Sequence, residues 1–216
     1  PIDSVVSLLH MLEDGTTTEV AVIGYEGMIG VSVFMGDNNT QSQAIALTAG
    51  TVYRLPVQQF KDELKQPDAI LRMLLLRYSQ ALITQMAQTV VCNRHHTIDQ
   101  QLPRWLLMAA DRLAHNDISM THELIANMLG VRREGITAAA HKLKAVGAIE
   151  YHRGHIKIVD RLKLEKLSCE CYFVVKRETD RLLPCHPRHQ PGPARKTNSM
   201  NPLYSQATHS PITFKP

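Results

Sequence analysis

Short apolar runs separated by turn signals fill the first 55 residues of the chain. The runs cover residues 5–11, 18–23, 24–30, 44–47 and 51–55. The dipeptide Asp14-Gly15 between the first two runs is a strong hairpin signal, because glycine supplies the positive φ that a tight turn requires. The pattern predicts an antiparallel β unit of about five strands over residues 1–66, as part of a sandwich or a barrel.

The pattern changes after Pro67, where apolar residues recur with the spacing of an α-helix. We predict a long helix within residues 67–98, with apolar positions at Leu71, Leu74, Leu75, Tyr78, Leu82 and Met86. Further apolar residues lie outside this stripe, so the helix needs cover on two sides. The simplest way to bury the second apolar side is to pack it against the same helix of another copy of the chain. We therefore predict a homodimer with these six residues at its interface. The alternative is a helix buried wholly within one chain.

Residues 99–167 carry the pattern of a helix-turn-helix. Pro103 suits the first turn of a leading helix, Thr121 suits the N-cap of the next helix, and Gly130 suits the turn after it. Val131 and Ile136 then face the core, which leaves Arg132, Arg133, Glu134 and Thr137 outward as candidate readers of DNA bases. An Arg fork fits guanine and a Glu accepts from cytosine N4. A purely structural helical hairpin is the alternative.

A β-hairpin over residues 145–159 follows directly and predicts the wing of a winged helix. Positive and hydrogen-bonding side chains beside this wing suit the phosphate backbone of DNA. We predict phosphate contacts from Thr121, Arg153, His155 and Lys157.

The order of β unit, long helix and winged helix-turn-helix resembles that of the Crp/Fnr family of bacterial transcription regulators. The segment Gly130-Val-Arg-Arg-Glu-Gly-Ile136 is the most specific part, and Arg133 and Glu134 match the family's base-reading pair. The third reader of the family, an Arg four residues later, falls at Ala138. The resemblance implies an α+β fold with a partial, cyclic-nucleotide-binding-like β-roll, a dimerisation helix, a winged helix-turn-helix and a C-terminal helix at 168–183. It also implies a homodimer on inverted-repeat operators, with RNA polymerase as a candidate partner.

The glycine-rich segment at residues 26–30 resembles the turn before the phosphate-binding cassette of the cyclic-nucleotide binders in this family. In those members a Glu follows the glycine and an Arg-Ser or Arg-Thr pair holds the cyclic phosphate. Here Val31 and the pair Gln41-Ser42 occupy these positions. A buried phosphate would therefore lack its charge partner, and we predict no cyclic nucleotide and no other cofactor. By the same resemblance, the β-roll is expected to be N-terminally incomplete.

Charge divides unevenly along the 216 residues. The net charge is −5 over residues 1–66, +2 over 67–115, +3 over 116–183 and +4 over 184–216. A basic back half suits a polyanionic partner. Residues 184–216 contain seven of the eleven prolines and no acid, which predicts a disordered basic tail. No apolar stretch is long enough for a membrane span, and four cysteines are too few for a secreted scaffold, so we predict a cytoplasmic protein.

The cysteines and histidines are a weaker signal. Cys92 lies near His95-His96, and Cys169-Glu-Cys171 follows the wing. Two thiols spaced in this way on a helix should diverge, and adjacent histidines face different sides, so we predict packing or exposed thiols and no metal site. No catalytic motif indicates an enzyme. The alternative function is a ligand- or redox-sensing β-roll module in which DNA binding is secondary; a thiol oxidoreductase using Cys169 and Cys171 ranks third.

Overall fold

The computed structural model describes residues 1–37, 39–66, 70–113, 117–152 and 154–183. The predicted basic tail at 184–216 and the predicted phosphate contact Arg153 lie outside the described residues.

The N-terminal part of the chain forms a small antiparallel sheet. Its strands are β1 (Val6–Met11), β2 (Thr17–Ile23) and β3 (Gln43–Ala46), in the order β2-β1-β3. Gly15 has φ 84° in the turn between β1 and β2, which confirms the predicted hairpin. Leu8 pairs with Ala21 whereas Leu9 pairs with Glu19, so a bulge changes the register at this point.

The prediction of about five strands is wrong for the described part of the chain, because the runs at 24–30 and 51–55 form no strand. Gly24 and Gly27 bring the backbone so close to other side chains that a Cβ would lie 2.7 Å from Arg112 and 2.4 Å from Tyr78. This segment packs against helices instead of pairing, and it leads into α1 (Val31–Phe34). The second run leads into α2 (Val57–Leu64).

The long helix α3 (Ile70–His95) lies where the sequence predicts one, but it turns a different face to its own chain. Leu75, Tyr78 and Leu82 are less than 9% exposed, and Tyr78 and Leu82 pack with residues of the sheet. The Tyr78 hydroxyl also donates to the carbonyl of Met28 at 2.7 Å. Their own chain therefore already covers these three of the six residues predicted at a dimer interface, and the interface itself stays a prediction.

Between α3 and the last helix, the described residues form four helices and a second sheet. They are α4 (Ile98–Ala110), β4 (Asp117–Ser119), α5 (His122–Leu129), α6 (Arg133–Ala145), β5 (Ile149–His152), β6 (His155–Ile158) and α7 (Arg161–Leu167). The sheet has the order β4-β6-β5 and is antiparallel throughout. The hairpin of β5 and β6 is the predicted wing.

Pro103 does not lie in the first turn of α4, as the sequence suggested, but in the interior of the helix. The helix begins earlier because Thr97 and Gln100 form a capping box, in which each residue bonds the backbone of the other. Residues 101–110 of α4 are all buried.

Trp105 of α4 lies at the centre of a core that joins the two halves of the chain. Its side chain is 1% exposed. The same buried cluster includes Val5, Leu9 and Val22 from the first sheet, and Ile125, Ile136 and Ile156 from the helix-turn-helix and its wing. The β unit and the winged helix therefore share one core.

The last helix, α8 (Glu170–Leu182), packs against α3 and α4. Cys169 is its N-cap and has extended backbone angles of φ −81° and ψ 163°, so only Cys171 belongs to the helix. The prediction that the two thiols diverge is therefore wrong, and both join Cys92 in a buried cluster. The Cys92 and Cys169 sulfurs lie 3.6 Å apart, and the hydrogen bond between them lowers the pKa of the Cys169 thiol below its usual range.

Glu19 of β2 is a buried carboxyl between the first sheet and α4. Ser7 Oγ donates to its Oε2 at 2.6 Å, and Trp105 Nε1 donates to its Oε1 at 2.8 Å. Burial outweighs these hydrogen bonds and the nearby charges of Arg104 and Arg112, and it raises the pKa of Glu19 from 4.5 to about 7.

We expect Glu19→Gln to remove a pH dependence from the stability of the protein. The folded state holds this proton more tightly than the unfolded state, so the free energy of unfolding falls as the pH rises from 4.5 to about 7. Gln keeps the shape of the Glu side chain and carries no charge. Near pH 8 the free energy of unfolding of the variant should therefore exceed that of the wild type by about 3 kcal/mol. Denaturant unfolding at about pH 5 and about pH 8 measures this, with exposed Glu13→Gln as control. An unchanged pH profile would contradict the assignment.

Candidate nucleic-acid interface

The turn between α5 and α6 is built by its two caps. Thr121 Oγ1 accepts from the backbone N–H of Leu124 at 3.2 Å, as the sequence predicts for an N-cap. Gly130 ends α5 in the left-handed region, with φ 64° and ψ 35°. Val131 N–H then donates back to the carbonyl of Ala126 at 3.0 Å, which closes the helix end. These contacts fix where the second helix begins.

The first turn of α6 presents free charged side chains to solvent. Arg132 is the N-cap of this helix, and Arg132, Arg133 and Glu134 are all exposed. Within the described ranges none of these three side chains has a hydrogen-bond or ion-pair partner. Ile136 is 0% exposed and anchors the opposite face of the helix in the core. The arrangement leaves two guanidinium groups and one carboxylate available to an external partner.

Thr137 is less available than the sequence suggested. Its hydroxyl donates to the Arg133 carbonyl at 3.1 Å and lies 3.1 Å from His122 Nδ1. Since the hydroxyl proton is already used, the imidazole N–H donates to Thr137 Oγ1. Thr137 therefore holds the first turn of α6 against α5.

His122 is a residue that the sequence analysis missed. Its side chain is buried and stacks on Tyr151 of β5, with ring centroids 4.1 Å apart. Burial is the main cause that lowers the pKa of His122, followed by the charges of His141 and Arg133. The neutral ring links α5, α6 and the wing. Its position directly after the N-cap Thr121 was the only signal available in the sequence.

The wing carries His155 and Lys157 and lies against Thr121, three of the residues predicted to contact phosphate. A Cβ at Gly154 would lie 3.9 Å from Thr121 Cγ2, so the turn of the wing touches the N-cap of α5. His155 and Lys157 alternate with buried residues on β6 and are exposed. Lys157 pairs across the sheet with Asp117 and with Glu150. The exposed face of the wing therefore carries mixed charge instead of a purely basic patch.

In the β unit, Gln41 and Ser42 stand where cyclic-nucleotide binders have their phosphate-holding pair, and neither side chain carries a charge. Gly30 has φ 91° and precedes the four-residue helix α1. Ser42 Oγ lies 2.9 Å from His10 Nε2, and Gln41 is exposed. The absence of cyclic-nucleotide binding stays a prediction.

Known proteins resemble the chain in its helix-turn-helix and in its fold. Residues 100–167 match the family model of the Crp-like helix-turn-helix domain. A CRP-family transcriptional regulator of Thermus thermophilus is 17% identical with a TM-score of 0.63, over 77% of this chain and 85% of that one. FixK2 of Bradyrhizobium japonicum is 15% identical with a TM-score of 0.56, over 78% and 85%. A Crp/Fnr-family regulator of Eubacterium rectale is 20% identical with a TM-score of 0.56, over 76% and 77%. No curated protein sequence matches the chain.

A Crp-like helix-turn-helix joined to a β unit and a long helix defines a class of DNA-binding transcription regulators. The chain is a DNA-binding transcription regulator with a Crp-like helix-turn-helix domain, and its fold is similar to that of Crp/Fnr-family regulators. The predicted fold class, an α+β protein with a cyclic-nucleotide-binding-like β unit, a long helix and a winged helix-turn-helix, is confirmed. Among the described helices, none combines the length and the hydropathy that a membrane span requires.

We expect Gly130→Ala to destabilise the winged domain because an L-residue is strained at φ 64°. The free energy of unfolding should fall by about 1–2 kcal/mol, and Gly130→Asn should cost less, since Asn tolerates the left-handed region. A Cβ at this position would lie 3.3 Å from Thr18 Oγ1 in both variants. If the larger Asn were worse than Ala, packing against Thr18 and not backbone strain would explain the effect. Thermal unfolding of the three proteins makes the comparison.

Proposed function

We propose that the protein is a cytoplasmic homodimer that binds inverted-repeat operator DNA, with one α6 in the major groove at each half-site. The exposed and unpartnered first turn of α6 carries this proposal. A helix N-terminus reaches base edges first when a helix enters the major groove, and this one offers both donors and an acceptor. Two-fold symmetry then sets the half-site centres about 34 Å apart. RNA polymerase is the further partner that we propose.

Arg133 and Glu134 are the proposed base readers. A guanidinium fork fits the O6 and N7 atoms of guanine, and a carboxylate accepts from cytosine N4. Arg132 precedes them at the N-cap and lies next to the first turn, where a phosphate or a base edge can be reached. Ala138 is exposed one turn further along and offers only a methyl group, which suits the methyl group of thymine.

The proposed dimer uses the exposed face of α3. Met73, Leu76, Gln80, Ile83, Ala87 and Val90 are all exposed and alternate in steps of three and four residues, and we call them the seam. This is the spacing of a coiled-coil interface. Leu76 is 58% exposed, Ile83 is 52% exposed and Val90 is 69% exposed, which is unusual for large apolar residues on one helix face. A second copy of the same face buries this stripe and places two winged domains about one two-fold axis.

Arg133 and Lys157 should respond differently to substitution. Arg133→Ala removes a base contact and should cost about 1–3 kcal/mol at one operator position only. Lys157→Ala removes a phosphate contact and should weaken binding to every sequence. The slope of log K against log salt concentration should become smaller in magnitude by about 1. Arg177→Ala on α8 removes the same charge outside the proposed interface and serves as control. Sequence selection from a random duplex pool and affinities at two salt concentrations separate the effects. If Arg133→Ala kept the sequence preference of the wild type, Arg133 would not be a base-reading residue.

Ile83→Glu tests the dimer. A charge in the middle of the seam cannot be buried without a partner, so we expect the variant to be a monomer in sedimentation equilibrium. Its affinity for an inverted repeat should fall to that for a single half-site. Leu162→Glu introduces the same charge at an apolar residue of α7 that is 71% exposed, and it should leave the dimer intact. A dimeric Ile83→Glu protein would show that this face is not the interface.

A further inference from the structure

Four side chains with metal-binding atoms meet where the end of α3 approaches the start of α8. The sulfur atoms of Cys92, Cys169 and Cys171 and a ring nitrogen of His96 all lie within 4.8 Å of one another. The cysteines are at most 2% exposed, and the His96 side chain is 13% exposed. The donor atoms are therefore enclosed by protein, although they come from segments more than 70 residues apart.

Local backbone structure explains why the four donors converge. Cys92 and His96 lie one helical turn apart, and His96 N–H donates to the Cys92 carbonyl at 3.0 Å. Gln101 Nε2 also donates to the His96 carbonyl at 2.7 Å, which holds the end of this turn against α4. On the other side, Cys169 stands before α8 as its N-cap while Cys171 lies inside it, so the two thiols are not spread by helical rotation.

Two of the distances between donors are close to those of a tetrahedral metal site. Zinc binds sulfur at about 2.3 Å and imidazole nitrogen at about 2.0–2.1 Å, which places donors about 3.8 Å apart for two sulfurs and about 3.5 Å apart for sulfur and nitrogen. Cys92 Sγ and Cys169 Sγ are 3.6 Å apart. Cys171 Sγ and His96 Nδ1 are 3.4 Å apart. Two edges of the tetrahedron are therefore already close to their expected lengths.

The groups around the four donors are those that usually surround metal ligands. The His96 ring turns Nδ1 toward Cys171, and its Nε2 lies 3.3 Å from a carboxylate oxygen of Glu170. A carboxylate on the second nitrogen fixes the tautomer and orientation of a ligating histidine. Gln88 Nε2 donates to Cys171 Sγ at 3.1 Å, as an amide does to a bound thiolate.

We propose that Cys92, His96, Cys169 and Cys171 bind one Zn²⁺ ion per chain in a closed structural site. Three thiolates and one imidazole are a donor set that zinc favours, and four protein ligands leave no open position for a substrate. The ion ties the end of the long helix to the last helix, beside the start of α4. The earlier expectation of no metal site rested on divergent thiols, which the structure does not have.

Metal analysis and cobalt titration of the full-length protein test this site. Protein purified under reducing conditions should contain about one zinc per chain, and the metal-free protein should bind Co²⁺ with thiolate charge-transfer bands and the visible bands of a tetrahedral ion. Cys169→Ser and Cys171→Ser should each lose tight binding. His96→Cys should retain zinc, because it changes one ligand for another. Cys185→Ser, which keeps all four proposed ligands, should bind like the wild type.

Other results would overturn the proposal. A wild-type protein that stays free of zinc and gives an octahedral cobalt spectrum has no such site, and this result needs no variant to fold. Equal loss of metal in Cys185→Ser would point to a different set of ligands. Intact mass after thiol alkylation would reveal a Cys92–Cys169 disulfide, whose sulfurs approach to about 2.05 Å. A disulfide in freshly purified, reductant-free protein would make the cluster a redox pair instead of a metal site.

Discussion

The buried ion pair of Arg112 and Glu26 holds the three parts of the protein in one arrangement. Arg112 stands at the end of α4, and its Nε donates to Glu26 Oε1 at 2.6 Å, with both side chains less than 10% exposed. The same guanidinium bonds Gln85 of α3, whose amide donates to the Val22 carbonyl of β2. Removing either charge would leave the other buried without its ion-pair partner, which is strongly destabilising. The position of the winged domain relative to the sheet depends on this contact.

Buried polar contacts lie beside the apolar core that joins the sheet to α4 and the winged helix. Glu19 with Trp105, and Arg112 with Glu26, require specific geometry, whereas apolar side chains tolerate small displacements. Polar contacts of this kind favour one orientation of the sheet relative to α4 over slightly different orientations. Thr18 also lies against Gly130, so the sheet touches the turn that sets the start of α6, the proposed recognition helix. A change in the sheet therefore has a direct physical route to the proposed DNA-reading surface.

The helix-turn-helix was predictable from the sequence because its signals are local. Thr121, Gly130 and the alternation of β6 act within a few residues of their own positions, and the structure places each as the sequence indicated. The number of strands was not predictable because strand formation depends on distant partners. Gly24 and Gly27 pack against side chains from distant parts of the chain instead of pairing with a strand. The face of α3 also escaped prediction. A helix that is apolar nearly all round does not reveal which side its own sheet covers.

The cysteine cluster lies beyond what spacing can predict, because it depends on where two helix ends meet. Within α8 the offset of Cys169 and Cys171 would separate their thiols, and only the N-cap position of Cys169 reverses this. That position is set by the chain leaving α7 at Ser168, whose hydroxyl donates to the Glu165 carbonyl at 2.8 Å. One boundary between two helices thus decides whether three thiols meet. Because α8 packs on both α3 and α4, the helix that begins at this boundary also connects the long helix to the winged helix-turn-helix.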